Sequence, residues 1–358
     1  GYAVYFSGMA EDVEISHCRI LADPIGTSSS AAGIYKASAT GTVDNIRIIA
    51  NVIDGGYYGI YFYGGTGTSD YGTNVIVDSN LITNQYYYAN YFYYTDFSSV
   101  SHNTILSRTA NTSTYWYGIR FYYCNFVADG NKIQQRSTAI TYPYLAYIYY
   151  ASYYNTLLPS EFINNELIGT TTSTYYGIYA GTSNVLNMYH NSIYMSGTGG
   201  SRNIYIASST TSSYDIKNNI VVNDNASGYP IYFAGTTTPF TSNYNCFYGV
   251  GYVGYYSSAQ ATLSSWQTST NQDTNSISVN PVFVNVINNL ELSDYSNFIA
   301  PRLSSVSNDI EGRNRTILTM MGAYSTPLFE GYNLAMSELL SPVEVNDIYC
   351  FDDYIYCC

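Results

Sequence analysis

Charge is scarce in this chain. Of its 358 residues only 10% are Asp, Glu, Lys or Arg, and three are lysine. The formal net charge is −13, which argues against nucleic acid, whose binding rests on clustered Lys and Arg. It argues equally against an anionic membrane surface. Long apolar runs are missing too: none approaches the ~18 residues of a membrane-spanning helix. No secretory leader pattern opens the sequence. Cysteine is sparse: Cys18, Cys124 and Cys246 lie far apart, and Cys350, Cys357 and Cys358 gather in the tail. That spacing makes neither a disulfide framework nor a zinc site. The first three are expected as buried thiols, and no metal or cofactor is expected.

Tyrosine, in contrast, is abundant, with 45 residues, and the apolar fraction of 46% is not that of a disordered chain. A tyrosine recurs every 26 to 30 residues at Tyr5, Tyr35, Tyr61, Tyr91, Tyr149, Tyr179, Tyr205 and Tyr232, with Arg120 standing at the one exception. Each sits in a short phrase such as Ile60-Tyr61-Phe62 or Ile231-Tyr232-Phe233. A fixed period of this length is the signature of a solenoid. In a strand the flanking Ile and Phe point inward, so the tyrosine between them points outward.

A second station recurs about half a coil later: Asn51, Asn80, Asn103, Asn131, Asn165, Asn191, Asn218 and Asn245, most of them followed two residues on by Ile, Leu or Phe. Asn tolerates the left-handed backbone conformation and bonds its own backbone, so these positions read as turns. Stacked coil on coil, their amides can also bond one another. The period is too long for hexapeptide solenoids and shows no helical spacing. The fold class is therefore all-β, a right-handed parallel β-helix of about nine to eleven coils, with regular coils over 1–247 and a closing segment over 248–326. Residues 327–358 form a separate tail. The chain opens at Gly1-Tyr2-Ala3-Val4-Tyr5-Phe6, already inside a repeat. That start reads as a slice of a longer product with uncapped ends suited to end-to-end stacking.

The closing segment carries an ordered set of motifs: Thr262-Leu263-Ser264-Ser265-Trp266-Gln267, Asn280-Pro281-Val282-Phe283, Asp309-Ile310-Glu311-Gly312-Arg313-Asn314-Arg315 and Met321-Gly322-Ala323-Tyr324. This set resembles the end of secreted right-handed β-helix proteins of the Bacteroidetes type, which share a pectate-lyase-like fold. It departs from the family pattern at Asn280, at Glu311 and at Met320-Met321, so the polar contacts of that segment are expected to be altered. The tail around Tyr332-Asn333-Leu334 and Cys350 resembles the start of an immunoglobulin-like module. The resemblance implies an extracellular, surface-attached or released protein.

Candidate chemistry is thin. Lyases and hydrolases of polysaccharides need paired carboxylates, or carboxylates with a basic residue. The nearest grouping is Asp96, His102, Arg120 and Asp129, spread over several coils, and no catalytic residue is assigned. His17, His102 and His190 lie beside the Asn stations and read as turn hydrogen bonding. The adjacent carboxylates Asp352-Asp353 lie in the tail. Asn111, Asn225 and Asn314 match the glycosylation pattern at a frequency such a composition gives by chance.

The outward tyrosines form the candidate contact surface, widened by a corner group that includes Tyr58, Tyr88, Trp116 and Tyr176. Stacked rungs stabilise the fold, with Arg120 joining through cation–π contact. An exposed strip this long also exceeds what a monomer usually leaves uncovered. The expected role is structural or adhesive, with glycans or other copies of the chain as partners and possible filament formation. The alternative is a lyase or glycoside hydrolase acting on extracellular polysaccharide.

Overall fold

The computed structural model describes residues 1–37, 43–65, 70–171, 173–326, 348–351 and 354–357. Short parallel strands stack coil on coil into a three-faced β-solenoid. The third face alone contains nine strands, from Arg19–Leu21 to Cys246–Gly249, so about eight turns separate first from last. The first face runs from Tyr2–Phe6 to Gly254–Tyr256 and the second from Ala10–Ser16 to Phe240–Asn243. One strand, Tyr88–Ser101, passes through both.

First-face strands share an out-in-in-out rhythm, as in Tyr58-Gly59-Ile60-Tyr61. Two consecutive inward residues let tyrosines three apart emerge on the same side. At Gly59 the slot leaves no room: an added Cβ would lie 2.5 Å from the Ala89 carbonyl oxygen of the next coil. Inside, Ile34, Ile60, Ile119, Ala146, Ile178, Ile204 and Ile231 stack in register. Asn90 interrupts that apolar column, fully buried with its Oδ1 unpartnered. Beside the column run Phe62, Phe92, Phe121 and Phe233, all buried.

The asparagine stations form an internal ladder. From Asn51 to Asn245, each backbone N–H and side-chain Nδ2 donates to the Oδ1 of the next asparagine at 2.9–3.1 Å. Each Nδ2 also donates to a backbone carbonyl, such as Val100 O from Asn131. Two sequence expectations are corrected here. The left-handed residue is the one before each asparagine: Ala50, Ser79, His102, Gly130, Asn164, His190, Asn218 and Tyr244 have φ of 52–66°. For the same reason the ladder member is Asn219 and not Asn218, which occupies the left-handed position.

After the last first-face strand, Gly254–Tyr256, the regular coiling stops. The helix Leu263–Thr270 begins with a capping box between Thr262 and Ser265, which satisfies two terminal N–H groups. It drives Trp266, fully buried, against Phe233, Phe247 and Tyr256 at the last turn. The indole N–H donates to Asp273 at 2.7 Å. The C-terminal end of the solenoid is thus covered, contrary to the expectation of open ends. Residues 280–325 then run back along the outside as a strap. Leu290 N and the Tyr324 hydroxyl both donate to buried Glu166 at 2.7 Å. Ala323 N donates to Ser192 Oγ, and Gly322 N to the Asn218 carbonyl. Arg315, 1% exposed, donates to Asn164 Oδ1 and to the carbonyls of Met320, Gly322 and Ala323. Of the tail expected to open an immunoglobulin-like module, 327–347 lie outside the described residues, as do Asp352 and Asp353. Ile348–Phe351 and Tyr354–Cys357 pair as an antiparallel hairpin.

Candidate interaction face

The first face carries its tyrosines in two adjacent outward columns. The main column is Tyr5, Tyr35, Tyr61, Tyr91, Arg120, Tyr147, Tyr179, Tyr205, Tyr232 and Tyr255, paired in register throughout. Tyr147 holds the rung that equal spacing assigned to Tyr149. The inward residue there is Ala146, opposite Ile119, and the extra length of that coil lies in the segment after Ala151. Tyr149 belongs instead to a third stack, Tyr63, Tyr93, Tyr122 and Tyr149.

The corner column contains Tyr2, Ala32, Tyr58, Tyr88, Tyr117, Tyr144, Tyr176, Arg202 and Tyr229. Trp116, expected on this surface, is turned inward and fully buried; its neighbour Tyr117 takes the outward place. Arg202 escaped the sequence reading, although it stands three residues before Tyr205 just as Tyr58 stands before Tyr61.

Ring geometry is regular. Successive tyrosines of the main column stack with centroids 4.4–6.0 Å apart and planes within 3–23°. In the corner column the corresponding stacks are 4.8–5.3 Å. Between the columns, pairs on one strand meet edge to face at 67–89° from Tyr58 onward, whereas Tyr2 and Tyr5 on the first strand are stacked at 16°. The result is a herringbone, the arrangement that aromatic quadrupoles favour. Ring faces are spent on neighbouring rings, so the surface left to solvent is phenol edges and hydroxyls.

Arg120 replaces a ring in this lattice. Its guanidinium lies 4.6 Å from the Tyr91 ring and 5.2 Å from the Tyr147 ring, with Tyr122, Tyr88 and Tyr117 within 5.8 Å. Arg202 lies 4.1 Å from Tyr232 and 5.3 Å from Tyr205. Desolvation by the neighbouring rings raises the Tyr61 phenol above its ordinary range and pushes Tyr88 up to about 12, Arg120 offsetting part of the latter. At neutral pH the face is therefore a field of protonated phenols with two cations.

A third feature is strained. Tyr94, Tyr123 and Tyr150, with φ of 46–56°, occupy the left-handed region, which is costly for a bulky side chain. They stack on each other at 4.9 and 4.3 Å and stand perpendicular to Tyr93, Tyr122 and Tyr149.

The charged residues singled out from sequence do not converge. Arg120 contacts tyrosines. Asp96, raised above the usual carboxylate range by burial, pairs in register with Asn125. His102 and Asp129 are neighbours at the Asn corner, but His102 Nδ1 faces Asp78 at 3.5 Å and Asp129 accepts from Asn164. His190 is buried, held neutral by desolvation and by nearby Arg315, with Nε2 3.0 Å from Asn218 Nδ2. Cys124 and Cys246 are buried as expected, whereas Cys18 is exposed. A cleft of about 360 Å³ lies between the third face and the strap, lined by Gln134, Gln135, Arg136, Tyr194 and Ile287. Its guanidinium is committed to Ser107, Thr83 and Asn84.

Comparison with protein-family models, curated proteins and solved structures finds no match to this chain. The β-solenoid rests on the chain's own structure, and function must be read from the face itself.

Proposed function

We propose that this protein is an extracellular structural or adhesive rod whose tyrosine face binds neutral glycan chains. The observation that carries the reading is the double column: nineteen in-register positions, of which sixteen are tyrosine, two arginine and one alanine. None is a carboxylate. Such a surface offers hydroxyl donors and acceptors at each ~4.8 Å rung, together with apolar ring edges, and few ions to desolvate. A polymer of hydroxylated rings lying along the axis can repeat its contacts rung by rung, so weak single contacts add through multiplicity. The surface of a second copy is the competing occupant. The helix over the last turn disfavours end-to-end growth, so self-association would be lateral.

Affinity electrophoresis through gels containing neutral polysaccharides tests the reading. The protein is expected to be retarded by at least one of them. Replacing Tyr61, Tyr88, Tyr147 and Tyr179 together with Ser should abolish the retardation while the circular dichroism of the rod is kept. Unretarded migration in every gel, with lateral dimers in solution, would assign the face to self-association instead.

A further inference from the structure

We infer that the tyrosine face is a site of oxidative cross-linking, in which a peroxide-driven one-electron oxidant joins tyrosines of successive coils into dityrosine. The inference goes beyond glycan binding and does not depend on it. Abstraction of one electron and the phenolic proton from each of two rings gives two phenoxyl radicals. These couple through a carbon–carbon bond between their ortho positions, and each ring hydrogen at the new bond moves to its phenolic oxygen, restoring aromaticity. Two electrons and two protons pass to hydrogen peroxide, which leaves as two waters; a haem peroxidase is the class of catalyst that delivers such single-electron steps.

The herringbone selects the partners. A biaryl bond lies in the plane of both rings, and the two rings twist about it. Parallel stacked rings present faces to one another and cannot form it in place. Their attachment points, one rung or ~4.8 Å apart, are also closer than a biaryl link holds them. Diagonal neighbours, one rung and three residues apart in the parallel register, have more widely separated attachment points and inclined rings. Tyr229 meets Tyr255 at 5.7 Å and Tyr144 meets Tyr179 at 5.9 Å, but Tyr229 and Tyr144 each have a nearer inclined ring on their own strand, at 5.5 and 5.6 Å. In two other diagonals the corner tyrosine has no such competitor. Tyr176 meets Tyr205 of the next coil at 5.2 Å and 69°, closer than its own-strand neighbour Tyr179 at 5.5 Å. Tyr117 meets Tyr147 of the next coil at 5.7 Å and 80°. Arg120 stands where Tyr117 would otherwise have an own-strand tyrosine. Tyr147 is thus its one steeply inclined tyrosine among the described residues. Each link would pin a coil to the next by a bond that denaturant does not break.

The test treats dilute protein, its thiols alkylated so that Cys18 does not consume the oxidant, with horseradish-type peroxidase and hydrogen peroxide. Dityrosine fluorescence should appear in protein of monomeric size, with the mass of two hydrogens lost per link. Proteolysis should yield linked peptides joining Tyr117 to Tyr147 and Tyr176 to Tyr205. Tyr147→Phe and Tyr205→Phe keep the ring and its stacking. Each should reduce its own link to background and leave the other. Absence of dityrosine, links only between molecules, links confined to stacked pairs such as Tyr179 with Tyr205, or links that survive the Phe variants would each overturn the proposal.

Discussion

Asn131 shows how much a single side chain does here. Its Oδ1 accepts from Asn103 N and Nδ2, and its own Nδ2 donates to Val100 O and Asn165 Oδ1. Asn131→Ala takes a partner from four groups, but Asn103 Nδ2 keeps Val77 O and Asn165 Oδ1 keeps Asn131 N, so the cost falls mainly on Asn103 N and Val100 O, at ~1–3 kcal/mol for each group left unsatisfied. The expected loss is about 3–5 kcal/mol, read from the denaturant midpoint. Asn90 gives the opposite sign. Its buried Oδ1 has no partner and its Nδ2 makes only a 3.4 Å bond to Gly118 O. Asn90→Leu completes the apolar column and should stabilise by about 1–2 kcal/mol on the same scale. At this scale the sequence was legible wherever residue type repeats, as at the Asn stations. It was ambiguous at Asn218-Asn219, where two adjacent asparagines fit one motif. Only the left-handed φ of the residue before each ladder member resolves them, and backbone conformation leaves no mark on residue type at Ala50 or Ser79.

Among elements, the coils and the strap hold together by different means, and that explains which of them could be read. A coil repeats its contacts about eight times, so periodicity exposes it. The strap makes each contact once, over separations such as Tyr324 to Glu166, and its motifs suggested a closing segment without saying that it doubles back. The slip between Tyr147 and Tyr149 has a related cause: equal spacing is a poor guide where one loop lengthens and tyrosines stand two apart. The buried Glu166 carboxylate holds two strap donors, and hydrogen bonds to a charged group contribute ~1.5–3 kcal/mol. Glu166→Ala should free the strap without melting the coils. Limited proteolysis is then expected to cleave within 280–325 several-fold faster, while the far-ultraviolet circular dichroism stays unchanged.

For the whole molecule, alkali is the informative stress. Burial raises the phenols of Tyr58, Tyr61, Tyr88 and Tyr117 above the ordinary value of 10.0. Each therefore contributes stability that is fully present below pH 10 and is lost as pH rises towards the folded-state value, because the unfolded chain ionises first. Thermal unfolding should change little from neutrality to about pH 9, begin to fall there as the Cys124 and Cys246 thiols, pushed up to about 12 by burial, ionise first in the unfolded chain, and fall steeply beyond about pH 10. Spectrophotometric titration of the folded protein should show a late-ionising class of tyrosines that merges with the rest in denaturant. The β-solenoid itself was legible because period, polarity and tyrosine placement agreed. The herringbone was not, since ring inclination follows from the paired inward residues of each first-face strand.

The asparagine ladder also gives the rod a direction. All eight side-chain carbonyls aim at the coil before their own, so their dipoles add instead of cancelling, much as peptide dipoles add along a helix. The negative pole lies toward the first coil and the positive pole toward the helix-covered end. Two rods lying side by side would lower their electrostatic energy head to tail, so any lateral sheet of them has an antiparallel order written into its interior rather than its surface.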